Sequence, residues 1–308
     1  MLTTQKPLSF FSMEVTRRCN GSCDHCCTCS GPYCNDDTLT LADQLDLLDQ
    51  AAAAGCKAAQ FIGGEPTLKE AALIALIEHA YALGFSTIEL FTNGTRMSDR
   101  LFTVIVKCGV SVATTVYSHI AAIHDDIMHL SGSHAKTIAT IRRLVEAGVP
   151  LRVAVIRMEV NAETVDDTVA FLQAMGVTAI GIDDARPVGR RIETHPKPEN
   201  PCEGLCGQCT SNSLAVTARG TVHLCTMSHH LQVGDTTQGI AAILQSERMH
   251  EVCAMIDAHF GGRELHAECN PDKKCSPTTL CTPHCSPNFC GPKVNCNPKT
   301  PCKPSKRN

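Results

Sequence analysis

Three cysteines lie close together near the start of the chain, in the segment Cys19-Asn-Gly-Ser-Cys23-Asp-His-Cys26. Thiolates at this spacing can hold three corners of one iron–sulfur cube, which leaves the fourth iron open to a substrate or cofactor. A site with four protein ligands would instead favour structure or electron transfer. The spacing alone also suits a zinc knuckle or part of a disulfide framework.

Cysteine is abundant along the whole chain, at 20 of 308 residues, with six between Cys19 and Cys34 and twelve after residue 200. The net charge is −4, and the sequence has no long basic run, secretory signal or membrane-length apolar window. We therefore expect a cytoplasmic protein with neither nucleic acid nor membrane as partner. Reducing conditions disfavour disulfides, so metal binding is the expected reason for most of these thiols. The isolated Cys56 and Cys108 are interpreted as buried apolar residues.

The middle of the chain alternates between β-rich apolar runs and segments with helical periodicity. Thr40 with Asp43, and Ser98, mark helix starts, and a glycine precedes most of the strands, as expected for helix ends. This pattern predicts six βα units in an α/β fold, with a parallel sheet closed as an open or partial barrel. The predicted strands are Phe10–Val15, Ala58–Ile62, Thr87–Thr92, Val110–Tyr117, Leu151–Ile156 and Ala179–Ile182.

Ligands of parallel sheets gather at the carboxyl ends of the strands, so motifs that directly follow strands carry the most weight. The three cysteines follow the first strand. Gly63-Gly64-Glu65-Pro66 follows the second, where glycine lets the backbone approach a ligand and the carboxylate can pair with an ammonium group. Thr92-Asn93-Gly94 follows the third. Each motif alone could be a plain turn, but three on successive strands favour a common site.

Together these motifs resemble the radical S-adenosylmethionine (SAM) enzymes over about residues 8–195. The resemblance implies a [4Fe–4S] cluster on Cys19, Cys23 and Cys26, whose open iron chelates SAM. An electron from the cluster would cleave SAM to methionine and a 5′-deoxyadenosyl radical, which abstracts a substrate hydrogen. By the same resemblance, Gly63, Gly64, Glu65 and Pro66 form the motif that holds the methionyl ammonium, and Asn93 lies near the ribose.

The fourth βα unit is similar to that of peptide-modifying members of the same family. There Thr115 would match a serine near SAM, and Lys136 would match a basic residue near its carboxylate. One departure is His25, because the residue before the third cysteine is usually aromatic in the family. Cys27, Cys29 and Cys34 also crowd the cysteine loop, and the sequence assigns them no role.

A proline-rich stretch, Thr194–Pro201, predicts a boundary between a barrel domain (1–195) and a cysteine-rich domain (196–308). Just before it, Arg186, Arg190 and Arg191 could meet an anionic substrate, although a solvated linker is the simpler interpretation. Beyond it, residues 214–224 fit a β-hairpin that turns at Ala218-Arg219-Gly220.

The second domain resembles the SPASM extension of radical SAM proteins, which carries auxiliary iron–sulfur clusters. One auxiliary cluster would use Cys209, Cys225 and Cys285 with either Cys202 or Cys206. A second would use Cys275 and Cys281, either Cys269 or Asp272, and one late cysteine. That last ligand is one of Cys290, Cys296 and Cys302. A zinc-binding or metallothionein-like tail is the alternative.

The SPASM resemblance implies maturation of a peptide, through thioether or carbon–carbon crosslinks or through α-carbon epimerisation. The enzymatic alternatives are formylglycine installation in a sulfatase and dehydrogenation or decarboxylation of a small molecule. A metal-binding scaffold is the non-enzymatic alternative. The first predicted strand begins by Phe10, so leader-peptide recognition is expected to fall to a separate protein or to the SPASM-like region. An electron donor such as flavodoxin or ferredoxin is the further expected partner.

Overall fold

The computed structural model describes residues 7–194 and 198–260, which form one sheet surrounded by helices. The strand order is β6-β5-β4-β3-β2-β1-β7-β8-β9, parallel from β6 to β7 and antiparallel from β7 to β9. The prediction of six βα units in a partial barrel is confirmed. The strands are β1 (Phe10–Glu14), β2 (Ala58–Ile62), β3 (Thr87–Phe91), β4 (Ser111–Thr115), β5 (Leu151–Arg157), β6 (Ala179–Asp184), β7 (Ser213–Val216), β8 (Thr221–His223) and β9 (Gln232–Asp235).

The helices begin where the sequence provides capping side chains. Thr40 and Asp43 form a reciprocal capping box, and the Ser98 hydroxyl accepts a hydrogen bond from the Leu101 amide at 3.0 Å. Short 3₁₀ turns cover Pro66–Lys69, Glu159–Thr164 and Thr236–Gln238. The α-helices are α1 (Leu41–Ala53), α2 (Glu70–Ala82), α3 (Asp99–Cys108), α4 (Ala121–Met128), α5 (Ser133–Glu146), α6 (Val165–Ala174), α7 (Arg191–Thr194), α8 (Ile240–Leu244) and α9 (Glu247–His259). None of these described helices is long and apolar enough to cross a membrane.

One face of the sheet is apolar and packs against helices. Phe11, Phe61 and Leu90 are fully buried there, in a cluster that also contains residues of α1, α2 and α3. Cys56 and Cys108 lie in the same cluster, as predicted. Successive side chains of a strand point to opposite faces. The residues between these apolar positions therefore lie on the concave face of the barrel.

The concave face carries a row of buried polar side chains across four strands. Ser12, Gln60 and Glu89 are neighbours in register on β1, β2 and β3. The Ser12 hydroxyl donates to the Gln60 side chain at 3.0 Å, and the Gln60 amide donates to Glu89 at 2.6 Å. Arg152 on β5 donates twice to the Glu89 carboxylate, at 2.7 and 2.8 Å. A buried carboxylate is tolerated here because each oxygen has a charged or amide donor.

The predicted hairpin is present, and it extends the barrel sheet. β7 pairs in parallel with β1, with Leu214 opposite Phe11, and β8 follows antiparallel. Leu214 and Val222 join the same apolar cluster as the barrel strands. The proposed domain boundary at residue 195 falls among residues 195–197, outside the described part of the chain.

The polar row gives a stability test. Glu89 is 1% exposed, so replacing Arg152 by Met should leave its charge buried without a partner and lower the unfolding free energy by roughly 3–5 kcal/mol. Combining Arg152→Met with Glu89→Met should recover most of that loss, since an apolar pair can replace a buried ion pair. Urea unfolding measures all three variants. Arg157→Met, which removes an exposed pair with Asp184, is the control and should cost less than about 1 kcal/mol. Additive losses in the double variant would contradict this interpretation.

Candidate active site

A cleft opens where strands β1 to β6 end, and the polar row lies beneath it. Ile62 and Phe91 line the cleft. They lie two residues beyond Gln60 and Glu89 of the polar row and therefore on the same face of the sheet. The loops after the parallel strands gather at this edge of the sheet. Other lining residues are Cys19, Cys23, Cys26, Gly63, Gly64, Asn93, Thr115, Tyr117, Ile156 and Asp183.

The three cysteines of the first loop all line this cleft, and each sulfur has a separate hydrogen-bond donor. The Gly21 amide donates to Cys19 Sγ at 3.4 Å, and the Ser30 amide donates to Cys26 Sγ at 3.3 Å. The Tyr117 hydroxyl donates to Cys23 Sγ at 3.7 Å. Hydrogen bonds to sulfur are one of the means by which proteins tune iron–sulfur clusters.

Burial raises the pKa of both Cys19 and Cys23 to about 12. Negative neighbours add to this effect: the Glu65 carboxylate for Cys19 and the Cys26 sulfur for Cys23. A metal that binds these sulfurs must displace their protons and bring positive charge into the loop. In the described ranges, no three His, Cys, Asp or Glu side chains are drawn together as they would be around a bound metal ion. The fit to an iron–sulfur cluster rests on three soft donors in one cleft, each with its own hydrogen bond.

Gly63 and Gly64 have a packing role that the sequence did not reveal. The Gly64 amide donates to the Thr16 carbonyl at 2.7 Å, on the segment that leads into the cysteine loop. A Cβ atom on Gly64 would lie 2.2 Å from the Arg18 carbonyl oxygen, and one on Gly63 would lie 2.4 Å from the Thr16 oxygen. The two glycines therefore let the β2 loop lie directly on the cysteine loop, in addition to lining the cleft.

Glu65 is fully buried, and its carboxylate does not line the cleft. One oxygen accepts from the Thr67 amide, the Thr67 hydroxyl and the Thr92 hydroxyl, and the other accepts from the Asn93 amide at 2.7 Å. Burial raises the pKa of this carboxyl group. Both carboxylate oxygens thus have donors from the protein, and the contact of Glu65 with an ammonium group stays a prediction. Glu65 ties the loop after β2 to the loop after β3, and Pro66 begins the buried turn that follows it.

Asn93 is brought to the cleft and is held rigidly there. Its side-chain amide donates to Asn20 at 2.8 Å, and its carbonyl oxygen accepts from the Thr95 hydroxyl at 2.7 Å. Thr115 also lines the cleft, at the end of β4. Lys136, in contrast, is exposed on α5 and is not among the lining residues. The structure thus joins Asn93 and Thr115 to the cysteine loop but leaves Lys136 apart from them.

Tyr117 is a site residue that sequence reasoning missed. Besides its contact with Cys23, its ring packs edge-on against His25, with ring centroids 5.1 Å apart. Burial lowers the pKa of His25 to about 4, so its ring is neutral at pH 7. His25 thus supplies an uncharged flat ring where the family usually has an aromatic residue. The available signal was side-chain alternation along the predicted strand Val110–Tyr117, which places Tyr117 on the same face as Thr115.

Cys206, Cys209 and Cys225 form a second cysteine group. Cys209 Sγ and Cys225 Sγ are 3.1 Å apart, and Cys206 is hydrogen-bonded to Cys209. The thiol of Cys202 is buried elsewhere and points to the Met255 carbonyl at 4.0 Å. Of the two cysteines that the sequence left as alternatives, Cys206 is the one that contacts Cys209. The other auxiliary ligands expected from the sequence lie outside the described residues: Cys269, Cys275, Cys281, Cys285, Cys290, Cys296, Cys302 and Asp272.

Comparisons with known proteins agree with this geometry. The model of the radical SAM superfamily matches residues 13–183, and the model of the SPASM iron-sulfur cluster-binding domain matches residues 206–282. The chain is 28% identical over 184 residues to the sporulation killing factor maturation protein SkfB of Bacillus subtilis (strain 168), covering 59% of this chain and 44% of that protein. It is 30% identical over 183 residues to the PqqA peptide cyclase of Xanthomonas campestris pv. campestris (strain B100), covering 59% and 48%. The chain thus spans about half the length of these curated relatives.

Solved structures show the same fold. Streptococcus suis SuiB bound to precursor peptide SuiA has a TM-score of 0.65 at 10% identity, over 81% of this chain and 67% of that one. The structure of anSMEcpe with AdoMet and the Cp18Cys peptide has a TM-score of 0.62 at 16% identity, over 88% of both chains. At these identities the likeness concerns the fold alone.

The second cysteine group gives a test with a matched control. Cys206→Ala should lower the iron content of the anaerobically reconstituted protein by about four atoms per chain, the content of one cube, because it removes a ligand. Cys202→Ala removes a buried thiol that points to the Met255 carbonyl rather than to Cys209, and it should leave iron unchanged. Iron analysis and EPR spectroscopy measure both. Loss of iron in Cys202→Ala but not in Cys206→Ala would show that the assignment is wrong.

Tyr117→Phe tests the hydrogen bond to Cys23. Removing the hydroxyl should lower the midpoint potential of the cluster in the cysteine loop, because a donor to sulfur stabilises the reduced, more negative form. Iron content should not change. Potentiometric titration followed by EPR gives the shift, and Tyr81→Phe, at a residue 54% exposed, is the control. Equal potentials in both variants would argue against a role for the hydroxyl.

Proposed function

This chain belongs to the radical SAM superfamily, and we propose that it modifies a peptide by abstracting a hydrogen atom from it. The observation that carries the proposal is the meeting of two cysteine groups at one cleft. Cys19, Cys23 and Cys26 line the cleft directly. Cys225 of the second group is followed by Thr226 and Met227, which also line it. A substrate in the cleft would therefore contact both the cysteine loop and the two residues that follow Cys225.

The family's cofactors are a [4Fe–4S] cluster and SAM, which together supply a 5′-deoxyadenosyl radical able to take a hydrogen atom from the substrate. Cys19, Cys23 and Cys26 would hold the cluster. Gly63, Gly64, Asn93 and Thr115 line the part of the cleft proposed to bind SAM.

The protein's own contribution is to hold these groups in place. Glu65 fixes the backbone of Asn93, and Asn20 fixes the Asn93 side chain. Neither contact depends on a solvent-exposed side chain, so the cleft wall is preorganised before a ligand binds.

A peptide is the substrate class that the comparisons favour over a small molecule or a sulfatase. The similar curated proteins are a peptide cyclase and a peptide-toxin maturation protein by their names. Asp183 and Arg186 also line the cleft, where they form an ion pair at 3.0 Å. We infer crosslink formation, thioether or carbon–carbon, rather than epimerisation. Forming such a bond leaves an electron, and the second cysteine group beside the cleft offers a cluster site to receive it.

We further propose that the protein works in the cytoplasm with two partners. The first is an electron donor such as flavodoxin or ferredoxin, because the cysteine-loop cluster must be reduced before each turnover. The second is a separate protein that recognises the leader part of the peptide.

The function is tested by anaerobic reconstitution with SAM and dithionite. The wild-type protein should bind more than about four iron atoms per chain and produce 5′-deoxyadenosine. The variant with Cys19, Cys23 and Cys26 all replaced by Ala should produce none, because the cluster that cleaves SAM is gone. Chromatography and iron analysis provide the two readouts. Bound zinc without SAM cleavage in the wild type would instead support a metal-binding scaffold.

Short peptides encoded beside the gene for this chain are the substrates to try in the same assay. Crosslinking should remove two hydrogen atoms from the peptide, which mass spectrometry detects. A peptide whose mass is unchanged after reaction in ordinary water, but which gains one deuterium in heavy water, would indicate epimerisation. If a small molecule accelerates the formation of 5′-deoxyadenosine and no peptide does, the peptide proposal is overturned.

A further inference from the structure

The segment after β6 reaches back into the cysteine loop through Gly189 and Arg190. The Arg190 amide donates to the Cys26 carbonyl at 2.9 Å. Its guanidinium donates through Nη1 to the Cys23 carbonyl and through Nη2 to the Ser30 carbonyl. One residue therefore holds three carbonyl groups that span most of the loop.

Gly189 makes this approach possible. Its φ is +60°, and a Cβ atom there would lie 2.2 Å from the Cys26 carbonyl oxygen and 2.6 Å from the Cys27 carbonyl carbon. Gly109 has nearly the same φ, +64°, yet no atom lies within 4 Å of its Cβ position. Both positions favour glycine because their backbone is left-handed. Only Gly189 must also lack a side chain, because it lies against the cysteine loop.

The charge of Arg190 is directed at the loop alone. Its neighbour Arg186 pairs with Asp183 at 3.0 Å, and Arg191 pairs with Glu159 at 3.0 Å. Among the described residues, no carboxylate lies within ion-pair distance of the Arg190 guanidinium.

We propose that Gly189 and Arg190 form a clasp that closes the cysteine loop around its cluster. The guanidinium and the Arg190 amide fix the loop backbone, and the positive charge of Arg190 stabilises the anionic cluster. Arg190 is thus a positioning residue rather than a contact for an anionic substrate. The inference rests on the cluster of this family and not on the identity of the substrate, so it can be tested without a peptide.

The two roles of Arg190 call for two substitutions. Arg190→Met removes both the charge and the paired hydrogen bonds, whereas Arg190→Lys keeps the charge but cannot reach two carbonyls in a fixed geometry. Arg248→Met, which removes an exposed arginine paired with Glu251, is the control. Each full-length protein is reconstituted anaerobically. The cysteine-loop cluster is identified as the one whose EPR spectrum changes when SAM is added.

In Arg190→Met, iron should be lost to bathophenanthroline disulfonate about tenfold faster than in the wild type, as expected for lost hydrogen bonds of a charged group. The midpoint potential of the cluster should also fall, because a nearby cation favours the reduced form. Arg190→Lys should keep a nearly normal potential but still lose iron faster. Arg248→Met should match the wild type. Iron loss and potential in Arg190→Met that equal those of Arg248→Met would overturn the proposal.

Gly189→Ala and Gly109→Ala provide the second test, independent of charge. Both substitutions strain the backbone alike, so both should lower the melting temperature of the protein. Only Gly189→Ala should accelerate iron loss, because its methyl group pushes the segment away from Cys26 and Cys27. Equal iron loss in the two variants would show that general destabilisation, and not the clasp, controls retention of the cluster.

Discussion

The segment between β1 and the cysteine loop lies so close to the β2 loop that no side chain fits between them. A Cβ atom on Gly63 or Gly64 would lie within 2.4 Å of the Thr16 or Arg18 carbonyl oxygen. Backbone hydrogen bonds from Gly64 and Glu65 complete the contact. No flexible side chain lies between the two backbones to absorb a shift, so the contact fixes the position of one loop relative to the other. The position of the cysteine loop, and with it the whole cleft, depends on this approach.

Buried polar groups connect this contact between the two loops to the rest of the site. Glu65 follows the two glycines directly and accepts hydrogen bonds from Thr67, Thr92 and Asn93. A buried carboxylate costs free energy unless it is fully hydrogen-bonded, so this arrangement selects one geometry for two loops at once. Beneath it, Gln60 and Glu89 link β2 and β3, the strands that carry those loops, and Arg152 on β5 pairs with Glu89. The cleft wall is therefore rigid because its supporting charges cannot move independently.

The pairing of β7 with β1 has a functional consequence. β1 leads into the cysteine loop, and the hairpin that begins with β7 leads into Cys225. One strand pair therefore sets the relation between the two cysteine groups. Within the second group, the sulfurs of Cys209 and Cys225 are 3.1 Å apart. The shared sheet therefore brings the two residues after Cys225 to the cleft that the cysteine loop lines.

The sequence by itself determined the parts of this protein that depend on short-range pattern. Apolar runs located the six barrel strands, capping residues located helix starts, and the position of Cys19, Cys23 and Cys26 directly after a parallel strand placed them at the ligand-binding edge. These predictions succeed because strand alternation, caps and turns involve neighbours in the chain. The parallel topology then follows from the repeated βα order.

The tertiary structure decided which residues meet across the fold. It placed the Glu65 carboxylate inside the loops rather than in the cleft, left Lys136 outside, and joined Cys206 to the second cysteine group. Arg190 and the Cys23 carbonyl that it holds are 167 residues apart in the chain. No local pattern encodes such a contact, because it depends on how the strands order themselves and on how closely glycine lets two loops approach. The residue types suited to iron–sulfur chemistry could therefore be predicted from the sequence, whereas the contacts that hold their loops in position could not.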